Sequence, residues 1–381
     1  MSYYNPSSNT FNIRGQYVLG ITLEDVLFLA RIRIDGTAVL VKDYSNKHCF
    51  DIFGEEIDDF EKLYDIIYDN SLDWKKRKAA LLMVIVQCII MPTSDGKKYY
   101  AALFECLRDP DETSGKYAWG AGMLAFLQYH MEKLNASVKF CGCIWLVLCF
   151  FLVRIPTLWD SLGLGSVREE IEAGELEQHP FPMKWILDKL LLNSTLGYDR
   201  RAGCRTKMKS VFDNLKDEQI SWTPYTKWVL PDELKEDKKF ITRLGPIFCS
   251  NYVVNHKPHC VTKQFGGFEL DRFMDRDKLA IFDHPLTFVD NRGSNKHDYY
   301  ESYKRELMLW AKRVCVDDYA DNNDRPPSRC ARDRPPSPSR ARDRPPSPSR
   351  HRPRQRRNYT REEGPRRGER NRHPSVRFSP S

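Results

Sequence analysis

Four soft side chains, Cys249, His256, His259 and Cys260, fall within twelve residues and are of the types that hold zinc. Pro258 interrupts any helix spanning His256 to Cys260, and no second ligand pair has the spacing of a zinc finger. Packed histidines and buried thiols are therefore expected here, and no metal. Cys141-Gly-Cys143 is weaker still, because thiols two residues apart on a helix point to nearly opposite sides. The acidic pairs Glu55-Glu56, Asp58-Asp59 and Glu169-Glu170 sit among polar residues and read as solvated faces, not catalytic acids. Gly163-Leu-Gly165-Ser166 lacks the third glycine and the preceding strand of a dinucleotide loop. Walker, Gly-x-Ser-x-Gly and metallophosphatase segments do not occur. The expectation is a chain without enzyme activity and without a cofactor.

The C-terminal stretch has a more direct chemistry. From Asn322 to Ser381 there are 18 Arg, no Lys and 6 Asp plus Glu, a net charge of +12. The remaining 321 residues hold 42 basic against 46 acidic side chains, a net of −4, so the overall +8 belongs to the tail. Arginine offers phosphate a planar fork, and a flexible arginine-rich arm attracts RNA or DNA without regard to sequence. Arg350, Arg352, Arg354, Arg356 and Arg357 are dense enough to act as a nuclear import signal. Ser337, Ser347 and Ser379 each precede proline and are candidate phosphorylation sites, with Ser339 and Ser349 beside them. Phosphates of about −1.5 to −2 each would cancel most of the tail's charge.

The decapeptide Ala331–Arg340 recurs exactly as Ala341–Arg350, and the stretch holds 12 of the 23 prolines with no Leu, Ile, Met or Trp. Such a segment cannot bury enough apolar surface to offset its chain entropy, so disorder is expected. The division expected is a globular domain over 1–318 and an Arg/Ser/Pro-rich tail over 319–381. Scattered cysteines, and an N-terminus with neither a charged nor an apolar leader segment, fit a reducing compartment.

The domain reads as mainly α, with a multi-helix core and a small N-terminal β-hairpin. Thr10–Ile13 and Gln16–Ile21 flank an Arg14-Gly15 turn. Thr22 is the cap of a following helix, with Asp25 placed to reach back to it. Helices are expected over Lys75–Met91, Tyr99–Leu107, Trp119–Leu134, Met183–Leu192, Arg205–Leu215 and Asp298–Val314, and over Pro246–Val254, where a strand stays an alternative. In the Trp119 helix, Gln128 falls on the polar side, and Gly120 and Gly122 suggest that another backbone packs close. After a polar break at Asn135-Ala136-Ser137 comes an apolar run, Phe140 to Val153. Its 14 residues suit a buried core helix better than a membrane span, which needs roughly 20.

Three separated patches resemble one family, the plant mobile domain, also called aminotransferase-like. Phe11-Asn-Ile-Arg-Gly15, Ile21-Thr-Leu-Glu-Asp-Val26 and Ile34-Asp-Gly36 are similar to its opening signature. Trp119-Gly120, Leu124-Ala125 and Gly142-Cys143 through Arg154 and Pro156 match its central helices. Trp222, Pro224-Tyr225, Leu230-Pro231, Pro246-Ile-Phe248, His256, Pro258, Val261 and Gln264-Phe-Gly266 follow its closing pattern in order. Gln16 stands where the family usually has Glu, and Phe150–Val153 replaces the Trp-Ala-Trp-Glu that precedes the arginine at 154. With that acid gone, Arg154 is expected to find another carboxylate or to face solvent. The resemblance implies a non-catalytic plant nuclear protein, transposon-related, linked to meristem development and to silencing of genes or repeats. Its partners would be nuclear proteins or chromatin, without a membrane. Some relatives carry a fused phosphatase domain, of which this sequence has no trace. An RNA-processing factor that acts chiefly through the tail is the alternative.

Overall fold

Thr10–Ile13 (β2) and Tyr17–Leu19 (β3) pair antiparallel, with Phe11 opposite Leu19 and Ile13 opposite Tyr17. Arg14 and Gly15 both take positive φ, +59° and +70°, as the primed turn of a hairpin demands. A two-residue strand, Tyr4–Asn5 (β1), adds to the other edge of β2, making a three-stranded sheet. The computed structural model describes residues 3–315, apart from 44, 58, 94–99, 113, 135–139, 193–200 and 268–297. The chain divides into two units, Met1–Asp324 and Arg325–Ser381, and the second lies wholly outside the described residues. So does the expected break at Asn135–Ser137.

The architecture is mainly α. Leu23–Asp25 (α1) runs into a wider π-turn over Val26–Ala30. Val39–Leu40 (β4), Lys47–Phe53 (α2), Phe60–Tyr68 (α3) and Trp74–Ile85 (α4) follow. A second π-turn, Val86–Ile90, carries α4 to Pro92, which cannot continue a helix. The helix expected over Tyr99–Leu107 is a single 3-10 segment, Ala101–Glu105.

Two helices form the centre. Trp119–Glu132 (α5) is buried on every side for most of its length, and Ile144–Arg154 (α6) is buried from Leu146 onward. Gln128, assigned to the polar face of α5, is buried instead, where its amide donates to the Ile21 carbonyl (3.2 Å). The apolar run is shorter as a helix than its composition suggests. Cys141, Gly142 and Cys143 precede α6 outside any helix, and Gly142 has φ +106°, where a Cβ would stand 3.0 Å from a side-chain carbon of Leu127 in α5. Eleven residues cannot cross a bilayer. Among the described residues no helix is long and apolar enough to do so.

The chain then winds through Thr157–Ser161 (α7), Gly165–Glu172 (α8), Glu175–Gln178 (α9), Pro182–Leu192 (α10) and Arg201–Asp213 (α11), with Asp232–Lys235 (α12) beyond. Residues 246–254, expected to be helical with a strand as the alternative, take the alternative. Gly245–Ser250 (β5) and Tyr252–His256 (β6) form a tight antiparallel hairpin that turns at Ser250, φ +57°. β4 joins the outer edge of β5 in parallel. The hairpin packs against α5 and against the last helix, Lys304–Lys312, and every residue of both strands is buried. A strand buried on both faces loses the alternation that identifies one from sequence. Tyr299–Ser302 and Lys304–Lys312 carry Tyr299, Tyr303 and Trp310 inward, as the stripe over Asp298–Val314 predicts.

Gly120 is where a backbone does pack close. Its amide donates to the Arg33 carbonyl (2.7 Å), and a Cβ there would stand 2.8 Å from both the Ile32 and Arg33 carbonyl oxygens. Retreat would break the Gly120–Arg33 backbone bond and shift buried Ile34, which is packed in the core beside α5. Gly120→Ala should lower unfolding free energy by about 1–3 kcal/mol, the usual cost of overpacking. Gly115→Ala, with open space around it, should stay near wild type. Urea denaturation of the two variants checks the contrast.

Candidate functional site

The residues that carry the sequence patches converge on one buried polar cluster. Thr22 caps α1, and its amide (2.8 Å) and hydroxyl (3.0 Å) both donate to Asp25 Oδ2. That leaves Asp25 Oδ1 facing the end of α6, where Arg154 Nη2 donates to it at 2.8 Å. Tyr225 supplies a further donor to the same oxygen, its hydroxyl at 2.9 Å. Arg154 Nη1 donates to the Trp222 carbonyl (2.7 Å), and the Ser221 amide returns a bond to the Arg154 carbonyl (2.8 Å). Both Asp25 and Arg154 are fully buried. Arg154 thus takes the first of its two expected fates, with Asp25 of α1 as its carboxylate.

Burial acts on Arg154, Tyr225 and Glu24. Desolvation alone would lower the Arg154 pKa, but Asp25, Tyr225 and Glu24 outweigh it and hold it above its ordinary value. Burial, followed by the Asp25 charge, pushes the Tyr225 phenol far up. Glu24, whose Oε2 lies 3.6 Å from Arg154, is raised to about 8, chiefly by burial and against the pull of Arg154. At neutral pH Glu24 therefore keeps its proton beside the Asp25–Arg154 ion pair. Such a pairing is what a dry interior tolerates.

His256 and Gln264 fasten the other end of the chain to the same segment. His256 Nε2 accepts from the Leu23 amide (3.3 Å), so its Nδ1 carries the proton toward the Arg243 carbonyl (2.5 Å). Burial lowers its pKa to about 4, so the ring is neutral. Gln264 Nε2 donates to the Gly20 carbonyl (2.9 Å) and its Oε1 accepts from the Gly20 amide (2.7 Å), as a neighbouring strand would. Beside them Gln128 Oε1, which has no hydrogen-bond partner, lines a cavity of about 10 Å³ with Thr22 and His256. That is room for one water.

A second polar knot closes the C-terminal helix. Asp35 Oδ1 accepts from Arg243 Nη1 (3.0 Å) and Arg313 Nε (2.9 Å), and the Arg243 guanidinium lies 3.3 Å over the Trp310 ring. Asp237 Oδ2 accepts from the Ile34 (2.6 Å) and Asp35 (3.0 Å) amides. Sequence reading missed both Asp237 and Arg243. Asp237 hides in the run Asp232-Glu-Leu-Lys-Glu-Asp237, which reads as a solvated face.

The four soft side chains do not gather. Cys249 pairs in register with Tyr252, and His256 with Gly245, so they sit at opposite ends of the hairpin, ~13 Å apart at the usual strand rise. The Cys249 thiol meets the Met91 sulfur (3.3 Å) in the core. Among the described residues no group of three or more His, Cys, Asp or Glu stands together as a metal site would require. Arg350, Arg352, Arg354, Arg356 and Arg357, and Ser337, Ser339, Ser347, Ser349 and Ser379, lie outside the described residues. In the Asp25–Arg154–Tyr225 cluster the Asp25 oxygens, the Tyr225 hydroxyl and both Arg154 Nη atoms are bonded within the chain, while Arg154 Nε and the neighbouring Glu24 Oε2 are buried without a hydrogen-bond partner. The cluster's chemistry is that of a clamp.

Two substitutions separate charge from shape. Arg154→Met should cost about 3–5 kcal/mol, because it strands Asp25 as an unpaired buried charge; Asp25→Asn with Arg154→Met should recover part of that loss in chemical denaturation. Glu24→Gln tests the titration. Between the ordinary 4.5 and about 8 the folded chain holds a proton that the unfolded chain has released. Glu24 therefore disfavours folding increasingly as pH rises through that window. The stability of Glu24→Gln relative to wild type should climb from pH 4.5 to 8, and a pH-independent difference would contradict it.

Comparison with known proteins places these residues in a family. The plant mobile domain model matches residues 2–329. The chain is 25% identical over 336 residues to an Arabidopsis thaliana serine/threonine-protein phosphatase 7 long form homolog, covering 82% of this chain and 24% of that one. It is 28% identical over 295 residues to Protein MAIN-LIKE 2 of the same plant, covering 69% and 40%. With Protein MAINTENANCE OF MERISTEMS, also from Arabidopsis thaliana, it shares 26% over 196 residues, covering 49% and 36%. The chain thus spans between about a quarter and two fifths of these relatives. No solved structure matches it. With the family pattern running from the N-terminal hairpin to the tail, and its residues meeting around Arg154, the chain belongs to the plant mobile domain family.

Proposed function

We propose that this protein works in the plant nucleus as a non-catalytic binding module, holding protein or chromatin partners in meristem maintenance and in silencing of genes or repeats. One observation carries the non-catalytic half. The polar residues of the family pattern, Thr22, Asp25, Arg154, Tyr225, His256 and Gln264, are buried and bonded to the chain itself. Side chains spent in this way do not reach a substrate. The developmental half is supported by the family and by a relative named for maintenance of meristems. The phosphatase named in another relative is not carried over, since the match covers 24% of that protein.

The tail supplies the address in this reading. Its 18 arginines favour import, and Arg350 to Arg357 is the segment that would be read. The same charge favours a second reading, an RNA-processing accessory factor that holds RNA through the tail. Deleting residues 322–381 separates the two. If the domain is the working part, the truncated chain with a foreign import signal should keep its partners in affinity purification from nuclei. Loss of partners together with loss of RNA would favour the tail. A reporter fused to 322–381 should enter the nucleus, and its retention in the cytoplasm would sink the import assignment.

A further inference from the structure

The helix α4 breaks the pattern of the other surface helices. Its inner side, Ala79, Ala80, Met83, Val86 and Ile90, is buried, as a core-facing stripe should be. Its outer side should then be polar. It carries no charge beyond Lys78. Trp74, Leu81, Ile85 and Ile89 are between 38% and 58% exposed there, and Cys88 is exposed among them. Trp74, Lys78, Leu81, Ile85 and Cys88 follow one another at intervals of 4, 3, 4 and 3 residues. That is the seam spacing of one helix laid along another.

We propose that α4 is the contact by which two copies of this chain pair, antiparallel, about a twofold axis near Leu81. Charge distribution selects both the partner and the direction. The cations of α4 stand in its first turn, Lys75 to Lys78, where Asp111 pairs with Lys78 (2.5 Å) and leaves the turn net positive, and the helix ends in an uncharged stretch, Leu81 to Met91. A parallel copy would set cation against cation. An antiparallel copy sets each cationic turn against the other helix's carbonyl end, where the helix dipole is negative. The surface is then complementary to itself, as a twofold contact requires. The midpoint of Trp74 and Ile89 falls at Leu81–Leu82, so Trp74 meets Ile89, Leu81 meets Leu82, and the aliphatic stem of Lys78 meets Ile85. Tyr64 and Tyr68 on α3, packed beside α4, are also exposed. With Trp74, three rings of ~200 Å² each, 44–76% exposed, offer roughly 350 Å². The aliphatic seam adds to this toward the ~800 Å² per partner of a stable pair.

Sedimentation velocity of the purified full chain tests the pairing. The expected species is a dimer of the 44.7 kDa chain. Leu81→Glu and Ile85→Glu should each convert it to monomer with unchanged far-UV circular dichroism, since both side chains are already partly in water. Leu81→Cys, at the axis, should form a disulfide-linked dimer on mild oxidation well above the wild-type background. In a Cys88→Ser background, which removes the thiol that the axis places beside position 74, Trp74→Cys, at the end, should not. A monomeric wild type, or a dimer indifferent to both glutamates, would overturn the proposal. Linking through Trp74→Cys as readily as through Leu81→Cys would overturn the antiparallel direction.

Discussion

Arg154 reaches the interior at the end of an almost wholly apolar helix, where no water can solvate its charge. Such a group is tolerated only if the surrounding chain supplies an opposite charge and acceptors in the right places. Asp25 supplies the charge, and the Trp222 carbonyl an acceptor. Asp25 is in turn held by the cap geometry of Thr22 and by the Tyr225 hydroxyl. Helix α1, the end of α6 and the 221–225 turn are thereby fixed relative to one another. The Phe28 and Tyr225 rings, stacked at 5.0 Å, seal the clamp from above. Moving any one of these segments exposes a charge to hydrocarbon, so they move together or not at all.

The hydrophobic core supplies affinity between layers but little register, and the polar contacts supply that register. A slide of the β5–β6 hairpin between α5 and the last helix would break its pairing with β4 as well as its side-chain bonds. His256, bonded to Leu23 on one side and Arg243 on the other, prevents it. Gln264 pins the next turn to Gly20. Asp35, Arg243 and Trp310 do the same for the C-terminal helix. Directional bonds among fully buried groups define one arrangement because each alternative leaves a donor or acceptor unpaired.

How much of this could be read in advance depended on the range of the interaction. The hairpin at Arg14-Gly15, the Thr22–Asp25 cap and the close approach at Gly120 are local or carried by residue type, and each was legible. The β5–β6 strands were misread because burial on both faces erases the period of two. Gln128 was misplaced because α5 has no solvent side for a polar stripe to mark. The family pattern indicated that Asp25, Arg154, Tyr225 and His256 belong together, but not that they touch. The partner of Arg154 lies 129 residues away, and no spacing rule reaches so far. Asp237 and Arg243 gave no signal, since a buried acid inside a charged run looks like its exposed neighbours.

The clamp also sets an order of events in time. Asp25 leaves the ribosome 129 residues before Arg154 and 200 before Tyr225. At about 5–20 residues per second, roughly 10–40 s separate the carboxylate from its last donor. Until then the first hairpin and α1 have an acid without a cation and an apolar face without a cover. The N-terminal segment therefore cannot settle as it emerges, and its assembly waits for residues near the far end of the domain. The clamp closes only after the 221–225 turn has been made, so its oldest residue waits longest for its partners.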